Sequence, residues 1–125
     1  MLSIAICDDE KHICDYLEKR TRNHLAVNDI EATVQTFYDG ADLLSACEKN
    51  TTEFDIIFLD PPYNKGFLDK VFDNIYKNKL LKKDGIIVVE SEAGGEMPDN
   101  SNFVCVKLAK YGKTVISVFK SGDNI

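Results

Sequence analysis

The sequence predicts an α/β fold: a three-layer, mostly parallel six-stranded sheet in the order 2-1-3-4-6-5, closed by a C-terminal antiparallel hairpin. Three observations lead there. Strand-like runs alternate with helical ones as far as about residue 90, and strands joined through helices pair in parallel by right-handed crossovers. The third strand-like run, Phe54 to Leu59 (FDIIFL), is hydrophobic enough to be covered on both faces. The last two runs stand three residues apart around Gly112, at hairpin spacing.

Ser3 to Cys7 (SIAIC) is a short apolar run with β-branched residues that ends in Asp8-Asp9-Glu10, a buried strand running into acid. From Glu10 to about Val27, Ile13, Tyr16, Leu17 and Leu25 recur near helical spacing, with carboxylates early and Arg20 and Arg22 later. Asn28-Asp29 breaks that helix. Thr33 to Tyr38 is the second strand. Asp39-Gly40 opens a short helix from Ala41 to about Lys49, with Leu43, Leu44 and Cys47 turned inward. After the third strand, Leu68, Val71, Phe72, Ile75, Tyr76 and Leu80 predict an amphipathic helix from Phe67 to about Leu81, stopped by Lys82-Lys83-Asp84-Gly85. Ile86 to Val89 is the fourth strand and residues 93–102 are a loop. Phe103 to Lys110 and Thr114 to Lys120 form the hairpin.

With 125 residues the chain fits one domain, residues 1–125. No apolar run approaches the roughly 20 residues that span a bilayer, and there is no signal peptide, so a cytoplasmic protein with no membrane partner is expected. Cys7, Cys14, Cys47 and Cys105 lack metal-ligand spacing and read as small apolar residues of a reducing compartment. His12 and His24 read as solvated helix residues. Residues 1–60 carry 5 Lys+Arg against 13 Asp+Glu (net −8); residues 61–125 carry 10 against 8 (net +2). A net charge of −6 and a pI near 4.8 argue against a general nucleic-acid binder.

The chemistry-bearing residues are acids at strand ends. Asp8 and Asp9 close the first strand and Asp60 closes the third, so all three belong to the carboxyl edge of a parallel sheet, where open α/β sheets place their sites. Three hard oxygen ligands suit Mg²⁺. Ile4-Ala5-Ile6-Cys7-Asp8-Asp9-Glu10, Thr36-Phe37-Tyr38-Asp39-Gly40 and Phe54 to Asp60 together resemble response-regulator receiver domains of the LytTR-associated type over residues 3–60. That resemblance implies that Asp8, Asp9 and Asp60 hold Mg²⁺ and that Asp60 accepts a phosphoryl group. Ser91, Lys107 and Lys110 are the candidates for the remaining receiver residues. The direction of the strand carrying the two lysines is open at this point.

Asp60 also heads Asp60-Pro61-Pro62-Tyr63. With Phe54 to Gly66, Gly85 to Glu90 and Lys110 to Thr114, this motif resembles the bacterial 16S ribosomal RNA guanine-N2 methyltransferase family over residues 54–120. The resemblance implies that Asp60 and the Pro61 carbonyl accept hydrogen bonds from an exocyclic amine and that Tyr63 stacks on the extruded base. That family's S-adenosylmethionine lies over a glycine-rich turn after the first strand. Here Asp8-Asp9-Glu10-Lys11-His12 stands in that place, so no S-adenosylmethionine binding is expected. Together the two resemblances predict a chimera, engineered from a receiver-like half (1–60) and a methyltransferase-like half (54–125). The expected product is a flavodoxin-like and Rossmann-like hybrid scaffold without turnover. The alternatives are a Mg²⁺-binding phospho-acceptor module and an RNA methyltransferase or its remnant. A homodimer is also expected, through the sheet face that one helix alone leaves open around Ile86 to Val89, Val104, Val106, Val115, Ile116, Val118 and Phe119.

Overall fold

The computed structural model describes residues 1–38, 41–43, 45, 53–60, 67–94, 98 and 100–122. The strands are β1 (Leu2–Asp8), β2 (Ala32–Phe37), β3 (Phe54–Asp60), β4 (Leu81–Glu92), β5 (Phe103–Tyr111) and β6 (Thr114–Ser121). The helices are α1 (Lys11–Val27) and α2 (Phe67–Lys77), and residues 41–43 and 45 are also helical. Leu44 and Cys47, expected to point inward, lie outside the described residues. The sheet order is β2-β1-β3-β4-β6-β5, as the alternation of elements predicts. β1 pairs in parallel with β2 and β3, and β3 with β4; β6 is antiparallel to both β4 and β5.

Side-chain alternation along the strands divides the interior in two. Ala5, Cys7, Ile57, Leu59, Ile87 and Val89 pack with Leu43, Val71, Phe72 and Ile75 on the α2 side. Phe72 is central, meeting Phe103 and Phe119 edge-on with ring centroids 5.2 and 5.0 Å apart. Ile4, Ile6 and Val34 face α1, where Cys14 is fully buried and Leu17, Leu25, Ile56 and Phe58 are partly so. Burial raises the Cys14 thiol above its ordinary pKa, which leaves it an inert core residue. Both helices end in the same left-handed closure. Asp29 (φ 54°) and Lys79 (φ 53°) each follow a helix. The next residue's N–H then reaches five positions back, Ile30 to the Leu25 carbonyl at 2.9 Å and Leu80 to the Ile75 carbonyl at 3.0 Å.

That second closure shortens α2 by four residues against the periodicity, which ran on to about Leu81. Leu80 does fit the helical spacing, but it is 1% exposed and its carbonyl accepts the Phe54 N–H at 2.7 Å. Burial against β3 removes it from the helix, and β4 begins at once. Phe54 pairs with Leu81 and Ile56 with Ile86, so residues 82–85 form an excursion opposite the single Asp55. The apparent helix stop Lys82-Lys83-Asp84-Gly85 is this excursion. A Cβ at Gly85 would lie 2.8 Å from both Leu81 Cδ1 and the Lys82 carbonyl oxygen, so glycine is required by the close approach. Asp55 ties the same end together. Its Oδ2 accepts the Ser3 N–H at 2.8 Å and Lys82 Nζ at 3.2 Å, and the backbone donor, more than the lysine, holds its carboxyl below the ordinary range. Among the described residues no helix is long and apolar enough to cross a membrane.

Candidate active site

The register of β1, β3 and β4 sets three acids side by side at the carboxyl edge. Asp8 and Asp60 are direct cross-strand partners. Leu59 pairs with Val89, so Glu90 follows beside Asp60. Alternation turns all three toward the α1 side of the sheet. Asp8 is 3% exposed. Its Oδ1 accepts the Glu10 N–H at 2.9 Å, while its buried Oδ2 has no hydrogen-bond partner among the described residues. Burial, and after it the Asp8 side chain and then Glu90 and Asp9, pushes Asp60 up to about 7. Two carboxyl groups on paired strands do not both ionise cheaply, and Asp60 is the one that keeps its proton toward neutral pH.

Asp9 does not join this row. It is exposed, its pKa raised first by desolvation and then by Asp8. Among the described residues no group of His, Cys, Asp or Glu side chains has metal-ligand geometry. The Mg²⁺ site expected from Asp8, Asp9 and Asp60 is thereby corrected. Asp9 lies past the end of β1 and is exposed, and Asp8 has one oxygen committed to backbone. Pro61 and Tyr63 lie outside the described residues. Ser91 follows Glu90 and pairs with Val115, which pairs on its other side with Lys110. The strand direction left open is now decided: Lys110 belongs to the same sheet edge as the acids, two strands from Ser91. Lys107 is aligned with Val118, further from the edge. Glu90 was missed as a site residue. Its signal was positional, an acid ending the strand next to the one that ends in Asp60.

One family model, "Conserved hypothetical protein 95", matches residues 1–120 without interruption. The chain belongs to this family. The methylase RP545 of Rickettsia prowazekii, named as uncharacterized, is 30% identical over 79 residues, which are 63% of this chain and 34% of RP545. Ribosomal RNA small subunit methyltransferase D of Buchnera aphidicola is 41% identical over 39 residues, 31% of this chain and 20% of that protein. Against YlbH of Bacillus subtilis the match covers 55% of the relative, so the chain spans at most about half the length of these curated relatives. A conserved hypothetical protein of Streptococcus pyogenes shares the fold, with a TM-score of 0.68 at 18% identity over 100% of this chain and 75% of that one.

These findings correct the chimera. A single model runs straight through residues 54–60, where a join between a receiver half and a methyltransferase half was expected, and no engineered or response-regulator origin is left to explain. The receiver-like look arose because acids ending adjacent buried strands are what any parallel sheet with a polar carboxyl edge presents. The scaffold reading without turnover falls with the chimera, since the matched relatives are named as methyltransferases. The expectation of no S-adenosylmethionine falls as well. It rested on the lack of a glycine turn at residues 8–12, a stretch that the family model nonetheless matches. Among proteins of similar fold, SMU.776 was solved complexed with SAH (TM-score 0.53, 11% identity, 94% of this chain and 44% of that one).

Proposed function

We propose that the chain belongs to an S-adenosylmethionine-dependent methyltransferase acting on an exocyclic amine of ribosomal RNA, with guanine N2 as acceptor, in the cytoplasm. The observation that carries this reading is the position of Asp60. It ends β3 at the carboxyl edge and heads Asp60-Pro61-Pro62-Tyr63, in a chain whose family relatives bear methyltransferase names. The doubly covered, mostly parallel sheet supports a Rossmann-like description of the fold.

The residues at that edge fit the cofactor's polar groups. Asp8 offers a buried acceptor without a donor, and the carboxylate row favours positive charge nearby. When bound, S-adenosylmethionine supplies an electrophilic methyl group. Asp60, ionised, accepts a hydrogen bond from the amine and aims its lone pair. An amine gives up one proton when it is methylated, and Asp60, pushed up to about 7, would be the group matched to receive it. By the family resemblance the Pro61 carbonyl takes the second amine hydrogen and Tyr63 stacks on the base. The test is label transfer from methyl-labelled S-adenosylmethionine to small-subunit ribosomal RNA. N2-methylguanine is the expected product, and a folded protein that transfers no label would sink the reading.

We also propose that the protein self-associates through the β5 side of the sheet. β5 is an outermost strand carrying Val104, Val106 and Leu108 at 42%, 45% and 61% exposure. Beside it Val88, Ile116 and Val118 are only half-buried on the α1 side of the sheet, beyond the residues that pack with α1. A second copy laid on this uncovered face about a two-fold axis would bury these side chains on both copies. Light scattering at high concentration should report a dimer, and Val106→Lys should return it to a monomer. A strictly monomeric parent protein rejects the proposal.

A further inference from the structure

At the opposite edge of the sheet, where β3 and β4 begin and α2 ends, lies a cleft of about 460 Å³. Lys77, Lys79, Lys82 and Lys83 line it together with one acid, Glu53. That is a local surplus of positive charge in a chain of net charge −6. The helix terminus accounts for part of it, because a cation in the last turn of α2 complements the partial negative charge there. Asp55 accounts for Lys82, paired at 3.2 Å. Lys77, Lys79 and Lys83 have no carboxylate within salt-bridge distance among the described residues. The cleft also has an aromatic wall. Tyr76 is 45% exposed and meets the buried Phe103 edge-on at 6.3 Å, so its ring is held in place with one side open. Clustered cations around an open ring are the combination that holds a nucleic-acid backbone and stacks a base.

We propose that this cleft docks a phosphodiester of the RNA substrate, with Lys77, Lys79 and Lys83 around the phosphate and Tyr76 against a neighbouring base. The proposal deepens the reading above and rests on it for the identity of the nucleic acid. Asp60 and Phe54 stand at opposite ends of β3, about 20 Å apart at the usual rise per residue. That distance is comparable to the width of an RNA helix. The acidic edge would repel a phosphate backbone, so affinity has to be supplied from elsewhere on the surface. The cleft supplies it without touching the reacting atoms.

The test is binding of a small-subunit ribosomal RNA transcript by the unmodified protein and by a Lys77→Gln, Lys79→Gln, Lys83→Gln triple variant across a salt series. Removing one lysine–phosphate pair lowers the slope of log affinity against log salt by roughly 0.7, so a fall of about 2 is expected, with affinity at least about tenfold weaker. Lys19→Gln on the exposed surface of α1 should change neither. Single variants replace the triple one if circular dichroism shows it misfolded. Unchanged affinity and slope overturn the proposal, as does the absence of RNA binding by the unmodified protein at low salt. Lysine-dependent capture of polyglutamate in preference to RNA also overturns it, in favour of an acidic protein partner. Loss of RNA affinity in the variant, in a protein that transfers no methyl group, would uphold the cleft and reject the methyltransferase reading. The two can therefore fail separately.

Discussion

Asp60→Ala is expected to lower methyl transfer by roughly 10²- to 10³-fold, while Asp60→Asn makes the folded protein more stable at neutral pH. Alanine removes both the acceptor that orients the amine and the group that takes its proton, and losses of that order follow from deleting one such group. Asparagine keeps an acceptor oxygen but cannot take a proton, so its activity should fall between the two. The stability effect has the opposite sign. Asp60 holds its proton with a pKa of about 7 when folded against 3.8 when unfolded. Between those values the folded state binds more protons, so stability falls as pH rises from about 4 to about 7. Above that window the parent protein keeps Asp60 ionised against Asp8 and Glu90, and asparagine relieves this. Because Asp60 is only half-buried, solvent screening reduces the gain to about 1–2 kcal/mol. Chemical denaturation at pH 5 and pH 8 measures it. A variant with the parent's pH slope, or Asp60→Ala with near-parental turnover, would count against this reading of the site.

The second large effect is structural. Phe72→Ala should destabilise the fold by roughly 3–5 kcal/mol, because Phe72 is fully buried and its ring is the meeting point of α2, β5 and β6. The helix is far in sequence from the β5–β6 hairpin that it packs against, and little else can collapse into the space. Against a total stability of about 5–15 kcal/mol for a domain of this kind, the loss should appear as a much lower denaturant midpoint. Tyr16→Ala, 55% exposed on α1, should stay within about 0.5 kcal/mol and serves as the control. A Phe72→Ala midpoint within that same margin would mean that the hairpin does not depend on α2 for its place.

The elements were legible in the sequence where a local pattern repeated. The 3.6-residue spacing of α1 and α2, the unbroken apolar run of β3, and the turn at Gly112 (φ 62°) each signal their structure within a few residues. The strand order followed, since parallel pairing and crossover handedness leave few arrangements. The acids at the ends of β1 and β3 were legible for the same reason, as strand-end positions. What they hold was not. Their resemblance to a metal-binding phospho-acceptor came from local motifs and strand-end positions, and neither says that Asp9 turns to solvent or that Asp8 lends an oxygen to the Glu10 N–H.

The end of α2 is the clearest case of a decision taken by tertiary structure. Leu80 satisfies the helical period, yet burial against β3 and the backbone bond from Phe54 outweigh one more turn of helix. The site is another. Register places the Asp8 and Asp60 carboxyl groups side by side, and the resulting repulsion and burial raise one pKa toward neutrality. The lysine cleft is a third, for it needs Phe103 and Ser121 brought beside residues 75–83. By itself the sequence determined which segments are helix or strand and which residues end the strands, because those depend on neighbours a few positions away. Only the folded chain decided which end-residues stand side by side, where a helix yields to a strand, and which lysines surround one cleft. Each of those depends on partners distant in sequence and on how completely water is removed between them.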